Sequence, residues 1–136
     1  MINLDCINCD GRCCTSKKRK LYVVLMPHEI EKFKESSTEL KTSEGILTVL
    51  KKSESGNCVF YDEKNSLCKA YKDRPFECRA YPLLIYYDSQ EITFRLDKNV
   101  CPKTTECVDN DIEKTKKDWL NQKLSLDFIK AYSTID

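Results

Sequence analysis

Nine cysteines dominate the chemistry that this 136-residue chain could perform. Four of them fall within nine residues near the start, and five are spread over the rest of the sequence: Cys6, Cys9, Cys13, Cys14, Cys58, Cys68, Cys78, Cys101 and Cys107. Thiolates select zinc, copper(I) and iron–sulfur centres from the available metals. The segment 6–14 is too short to bury a core but can surround a soft cation. The sequence therefore predicts a fold closed around one or two thiolate-bound centres.

The cysteine spacing favours an iron–sulfur centre over zinc. Cys6-x2-Cys9 is the spacing of a metal knuckle, but a zinc ribbon needs a second CxxC pair at a distance, and the sequence has none. Adjacent residues direct their side chains differently along a chain, so Cys13 and Cys14 are expected to serve two metals or to bridge within one cluster. Three single thiols come from separate elements: Cys58, Cys68 and Cys78. A [4Fe–4S] cluster is the first expectation, and structural or stored zinc is the alternative.

The cysteine count also indicates a compartment. An odd number of cysteines without an export signal favours a reducing, cytoplasmic setting, where cysteine clusters are typical of metal-binding or catalytic sites. No charged region followed by an apolar run precedes Cys6, so the sequence predicts no signal peptide. No apolar stretch approaches the roughly 18 residues that cross a bilayer, so no membrane association is expected. A disulfide scaffold is the alternative interpretation.

The charge balance argues against a nucleic-acid partner. The formal net charge is +1 when every cysteine is neutral. Four thiolates around a zinc ion or a [4Fe–4S] core in its 2+ state sum to −2, so one such site brings the net charge to −1 and two bring it to −3. A chain that is acidic when loaded lacks the basic surface that phosphate contacts require. Metal ions are the partners that the sequence indicates, and it identifies no redox or protein partner.

The sequence predicts one small α+β domain over residues 1–136. Its elements follow from hydrophobic patterning, and metal bound by the cysteines is expected to hold them together. Short β-hairpins are expected first, and a C-terminal helical segment is expected at 109–135. Apolar runs predict the strands and hairpins at 21–25, 46–50, 58–71 and 83–96. At this length only a modest core can form, so metal ligation is expected to supply part of the stability.

Local signals predict a first helix that begins at Pro27 and a loop that follows it. Pro27 suits the first turn of a helix, with Ile30 and Phe33 facing inward. The stretch 36–44 is rich in Ser, Thr, Glu and Lys and is expected to be a loop.

Two further signals concern the later helices. Asp73 is expected to cap a short helical turn that carries Cys78. The C-terminal pattern predicts one long helix, or two with a break near Ser125, with Trp119 as a core anchor.

No catalytic constellation is recognisable. The one histidine, His28, is expected at an exposed helix start, so no Cys/His or Ser/His/Asp nucleophile arrangement is credible. The three glycines, Gly11, Gly45 and Gly56, form no G-x-G-x-x-G motif, which excludes a Rossmann-type dinucleotide site. An enzymatic role stays open, without catalytic residues to carry it.

The cysteines belong to a longer pattern that resembles a known family. The pattern reads Cys6-x2-Cys9-x3-Cys13-Cys14, then Cys58-Val59-Phe60, then Cys68-x2-Tyr71-x2-Arg74-Pro75-x2-Cys78-Arg79-x-Tyr81-Pro82, then Cys101-Pro102. This region, 6–102, resembles the CxxCxxCC cysteine-cluster family, also called YkgJ-type domains, which are described as zinc or iron chelators. In that family the position of Tyr81 is often phenylalanine.

The resemblance implies which residues bind metal. Eight cysteines match the family's motif: Cys6, Cys9, Cys13, Cys14, Cys58, Cys68, Cys78 and Cys101. Cys107 lies outside the motif and is expected not to bind the metal; a free thiol, a resolving thiol for redox chemistry and a spare residue are the roles that stay open. An iron–sulfur centre would make the chain an electron carrier, a redox sensor or an accessory subunit, whereas zinc would make it a structural module. Some larger relatives resemble flagellin lysine N-methylases, so an accessory or catalytic domain of a protein-modifying enzyme is a further alternative.

Arg74 and Arg79 are candidates for the surroundings of the centre. A buried four-thiolate centre is doubly anionic, and guanidinium N–H donors close to sulfur would offset that charge. Because Arg79 adjoins Cys78, this role is favoured over an ordinary surface pair with Asp73 or Glu77.

Overall fold

The computed structural model describes residues 22–54, 57–62, 64–65, 67–97 and 109–135. These residues form three two-stranded antiparallel hairpins, with strands β1 Ser37–Thr42, β2 Gly45–Leu50, β3 Tyr61–Asp62, β4 Leu67–Cys68, β5 Leu83–Asp88 and β6 Glu91–Leu96. The helices are α1 Phe76–Ala80, α2 Asp109–Asn121 and α3 Leu126–Tyr132, with 3₁₀ turns at Pro27–Glu29, Lys34–Ser36 and Tyr71–Asp73. The predicted α+β class is confirmed. No helix in these ranges combines the length and apolar character that crossing a bilayer requires.

The hairpin of β5 and β6 lies where the sequence predicts it. Its register runs from Leu83 opposite Leu96 to Asp88 opposite Glu91. Ser89 and Gln90 form the turn, with φ angles of 49° and 69°. Two consecutive positive φ angles are typical of turns whose twist matches that of the flanking strands.

The first hairpin corrects two sequence predictions. Segment 36–44, expected as a loop, contains β1, which pairs with β2 over its whole length. The strand pattern is hidden because every side chain of β1 except Leu40 is polar and none of them is fully buried. Segment 21–25, expected as a strand, makes a single bridge from Val24 to Val49 within the described residues.

The first hydrophobic cluster forms around Trp119. The Trp119 side chain is fully buried, and its indole N–H donates to the Leu83 carbonyl oxygen at 3.0 Å. Its ring makes edge-to-face contacts with Phe76 and Tyr132, at centroid distances of 4.9 and 5.6 Å. Helix α3 packs against β2 and β5. The predicted role of Trp119 as core anchor is confirmed.

A second, smaller cluster lies beside the first. Its buried members are Val23, Leu25, Phe33, Leu50 and Cys58, and Phe60, Tyr61 and Cys78 pack against it. Successive side chains of an extended segment point to opposite sides. Accordingly, Val24 and Met26 belong to the first cluster, whereas Val23 and Leu25 belong to the second. Segment 22–26 therefore runs between the two clusters.

The predicted helix from Pro27 is only a 3₁₀ turn, Pro27–Glu29. Phe33 is buried as expected, but Ile30 is 37% exposed. Glu29 takes the buried position instead, with 7% of its surface exposed. The turn is oriented by the hydrogen bonds of this carboxylate, which an apolar pattern does not reveal.

The C-terminal segment forms two helices, as the sequence allows. The Oγ atom of Ser125 accepts a hydrogen bond from the Phe128 N–H at 3.1 Å and caps α3. This side-chain cap satisfies a backbone donor at the start of the helix. The predicted break near Ser125 is confirmed.

Candidate metal centre

Cys58 is buried at the edge of the second cluster. It pairs with Lys52 in an isolated antiparallel bridge, and the Val59 N–H donates to the Lys51 carbonyl oxygen at 2.9 Å. Only 9% of the Cys58 surface is exposed. A thiol in this position lies among apolar side chains, next to a lysine.

Cys68 lies at the open end of the hairpin formed by β3 and β4. It pairs with Tyr61, and the Tyr61 N–H donates to the Cys58 carbonyl oxygen at 2.9 Å. The Lys69 N–H donates to the Phe60 carbonyl oxygen at 2.7 Å and extends this pairing. The predicted hairpin is therefore confirmed, with shorter strands, and Cys58 and Cys68 both flank Tyr61.

The Asp62 side chain accepts three hydrogen bonds at the start of the turn of this hairpin. Its Oδ1 atom accepts hydrogen bonds from the N–H groups of Lys64 and Asn65, at 3.1 and 3.4 Å, and its Oδ2 atom accepts one from Asn65 Nδ2 at 2.8 Å. These donors favour the ionised carboxylate. The Asn65 side chain is the largest cause that lowers the pKa of Asp62 below its usual value.

Cys78 is carried by α1, a helix of five residues. Phe76 and Ala80 of this helix belong to the first cluster, whereas Cys78 packs against the second. So short a helix is not stable alone in water, so its position depends on tertiary contacts. The two clusters hold α1 from both sides and direct Cys78 toward the cluster that contains Cys58.

The cap of α1 corrects the sequence prediction for Asp73. The residue at the N-cap is Pro75, which makes no side-chain cap. The Phe76 N–H instead donates to Glu29 Oε2 at 2.8 Å, and the Met26 N–H donates to Glu29 Oε1 at 3.1 Å. Glu29, 47 residues before Phe76, thus provides the cap that was expected from Asp73.

A second buried carboxylate, Glu77, belongs to α1 itself and connects this helix to other segments. Glu77 is 5% exposed, so it is not a surface residue that could form the surface pair considered for Arg79. Its Oε1 atom accepts a hydrogen bond from the Val24 N–H at 3.1 Å. Its Oε2 atom accepts one from the Tyr132 hydroxyl of α3. A buried carboxylate needs such donors because burial otherwise disfavours its charge.

Three basic side chains lie near these cysteines, either along the chain or across the bridge to Cys58. The Arg74 guanidinium stacks 4.1 Å from the centroid of the Tyr71 ring, and its Nε atom is buried without a hydrogen-bond partner. Arg79 is exposed, with its guanidinium carbon 5.9 Å from the centroid of Phe76. The role predicted for both arginines stays a prediction.

Lys52 is the third basic residue, and sequence reasoning passed over it. Its Nζ atom lies 4.4 Å from the centroid of the Tyr22 ring. Partial burial lowers the pKa of Lys52 below its usual value, and the charge of the neighbouring Cys58 thiolate opposes this shift. No local motif marks Lys52, because only the bridge of the folded chain brings it beside Cys58.

Three of the eight predicted ligands lie within the described residues. The other five and Cys107 lie outside the described residues: Cys6, Cys9, Cys13, Cys14 and Cys101. Within the described ranges, no three His, Cys, Asp or Glu residues form a group that could hold a metal ion. His28 is exposed at its 3₁₀ turn, as expected. A complete thiolate site therefore requires ligands beyond Cys58, Cys68 and Cys78.

A comparison with protein-family models finds a match over most of the chain. Residues 5–122 match the model of the CxxCxxCC family, which is described as a "putative zinc- or iron-chelating domain". The chain belongs to the CxxCxxCC family. No curated protein and no solved structure gave a match. Metal chelation is thus the activity associated with this chain through its family.

Among the described residues of this CxxCxxCC domain, Cys58, Cys68 and Cys78 carry thiols, which prefer zinc and iron–sulfur centres to hard cations. The buried Nε atom of Arg74 is a donor that lacks an acceptor. Such an orphaned donor is costly unless a partner such as a thiolate completes it.

The cap of α1 yields a first prediction. Glu29→Gln keeps the size of the side chain but offers only one acceptor oxygen to two backbone N–H groups. We expect the free energy of unfolding to fall by about 1–3 kcal/mol, measured by urea denaturation of the metal-loaded protein. Glu31→Gln is the control, because Glu31 is exposed. It should change the free energy by less than about 0.5 kcal/mol, and equal effects of the two changes would contradict the buried cap.

The turn of the Cys68 hairpin yields a second prediction. Asp62 should titrate below 3.8, the ordinary value of its pKa, in an NMR pH titration. Its contribution to stability is then present above the ordinary pKa and is lost as the pH falls through the lowered one. Asn65→Ala should raise the pKa toward its ordinary value. Lys64→Ala should not, since Lys64 contributes its backbone N–H; no rise in Asn65→Ala would refute this assignment.

Proposed function

We propose that the chain binds an iron–sulfur cluster of the [4Fe–4S] type through clustered thiolates. The proposed ligands are Cys6, Cys9, Cys13, Cys14, Cys58, Cys68, Cys78 and Cys101. A single [4Fe–4S] cluster uses four thiolates, so eight allow one or two centres. When bound, such a cluster supplies one-electron transfer.

The positions of three proposed ligands give the main support for this proposal. Cys58 and Cys78 come from different elements, yet both contact the same hydrophobic cluster. Cys68 joins them through its pairing with Tyr61, which also packs against that cluster. A centre whose ligands come from several elements suits a bulky cluster better than a ribbon site, where paired knuckles hold one ion. The apolar surroundings would limit water access and influence the redox potential.

The charge of the centre also needs compensation. A four-thiolate cluster in its 2+ state carries a net charge of −2 and is costly to bury unless cations or N–H donors lie close. Lys52 beside Cys58 is suited to this task, as is Arg74 with its buried, unpartnered Nε atom. We propose both as neighbours of the centre, with Arg79 as the more exposed member of the set.

The proposed role is electron transfer, redox sensing or service as a cluster-bearing accessory subunit. The proposed compartment is the reducing cytoplasm, where thiolates remain available to metal. No described residue set identifies a substrate or a protein partner.

Structural zinc is the second candidate. The family description names zinc as well as iron, and Cys6-x2-Cys9 has the spacing of a zinc knuckle. A zinc site of this kind would be closed, with four protein ligands, and would serve the fold alone.

Metal and acid-labile sulfide analysis of anaerobically purified protein tests the proposal. We expect brown protein with iron and sulfide in comparable amounts, because a [4Fe–4S] cluster contains both equally. The colour should bleach in air. Colourless protein with stoichiometric zinc, after expression with added iron, would decide for the alternative.

Two cysteine variants are compared in the same metal analysis. Cys78→Ser keeps the size of the side chain but replaces a soft ligand with a hard, far less acidic one, so we expect lower metal content. Cys107→Ser should leave metal content unchanged, because Cys107 lies outside the motif. An equal loss of metal in both would make Cys107 a ligand and require a different division of the nine thiols.

A further inference from the structure

A contact links the C-terminal helix to the helix that carries Cys78. The Tyr132 hydroxyl of α3 donates to Glu77 Oε2, across a separation of 55 residues. Glu77 directly precedes Cys78 in the five-residue helix α1. The family match ends at residue 122, so α3 lies beyond it. The contact therefore joins the cysteine motif to a helix outside the matched family region.

We propose that Tyr132 is a positioning residue for the metal centre, acting through Glu77 on the orientation of Cys78. This inference rests on the proposed role of Cys78 as a ligand. It adds that α3 contributes to metal binding by helping to position a ligand.

The geometry of α1 explains why this contact matters. A helix of five residues has little stability of its own, so its rotation is set by what holds its side chains. Glu77 is held by the Val24 N–H on one side and by the Tyr132 hydroxyl on the other. Neighbouring helix positions are offset by about 100°, so rotation of Glu77 about the axis also displaces Cys78. Metal–ligand distances tolerate only about 0.2 Å.

The effect of the Tyr132 hydroxyl can be tested separately from that of the ring. The ring makes an edge-to-face contact with Trp119 and stacks on Phe128 at a centroid distance of 6.3 Å. Tyr132→Phe keeps these contacts and removes only the hydroxyl. Glu77 Oε2 then loses that donor while remaining in its buried place.

The neighbouring residue offers a matched control. Ser133 Oγ accepts a hydrogen bond from the Tyr87 N–H at 2.8 Å and donates to the Ile129 carbonyl oxygen at 2.7 Å. It therefore ties the same helix to β5 rather than to α1. Ser133→Ala should loosen α3 without removing the link to Glu77.

The first experiment measures loss of metal from the full-length loaded protein to an excess of a chromophoric chelator. We expect release from Tyr132→Phe to be roughly 10-fold faster than from the unchanged protein. Release from Ser133→Ala should stay within about twofold, at matched fractions of folded protein determined by urea denaturation. Release rates that simply follow the stability of each variant would overturn the proposal and leave Tyr132 a stabilising residue only.

A second experiment needs no variant and covers the case in which Tyr132→Phe does not fold. If docking of α3 strengthens metal binding, metal binding must strengthen the docking of α3, because the coupling is reciprocal. Hydrogen exchange of the unchanged protein should then slow in α3 on metal loading by more than it slows in the hairpin of β1 and β2. Equal slowing in both regions, with metal bound, would overturn the inference. Failure to bind metal at all would instead overturn the proposed function.

Discussion

Burial of two carboxylates is the constraint on which the cysteine-bearing region depends. Glu29 and Glu77 are almost fully enclosed, and each accepts hydrogen bonds that join distant parts of the chain. Glu29 receives the first N–H of α1, and Glu77 connects that helix to segment 22–26 and to α3. Since a buried, hydrogen-bonded carboxylate cannot be moved without exposing or orphaning its charge, the short helix with Cys78 has a defined position.

The same arrangement brings two of the cysteines to the second cluster. Cys58 is buried in this cluster and Cys78 packs against the cluster, so both thiols lie next to apolar side chains that exclude water. Such a site would be electrostatically costly without nearby cations. Lys52 pairs with Cys58, and Arg74 offers a buried donor. The described region thus combines soft donors with positive charge, as a doubly anionic centre requires.

Much of the fold was predictable because its signals are local. The hairpin of β5 and β6, the break at Ser125 and the burial of Trp119 all follow from apolar periodicity, turn residues and a cap. The mostly polar strand β1 was missed because pairing with β2, rather than full burial, makes it a strand. The cap by Glu29 and the nearness of Lys52 to Cys58 were missed because contacts between residues far apart, or across a bridge, leave no local pattern. The ligand set predicted from the motif extends beyond the described residues.

We expect metal to complete this fold, and thermal unfolding with and without metal tests this expectation most directly. The protein should be stripped by strong chelation under reducing conditions, with removal confirmed by metal analysis. Because the ligands come from separate elements, loss of the centre should remove binding energy that is also folding energy. We predict a sharp fall in Tm or the loss of a cooperative transition, reversed on reloading. An unchanged melting curve after complete removal would contradict the claim.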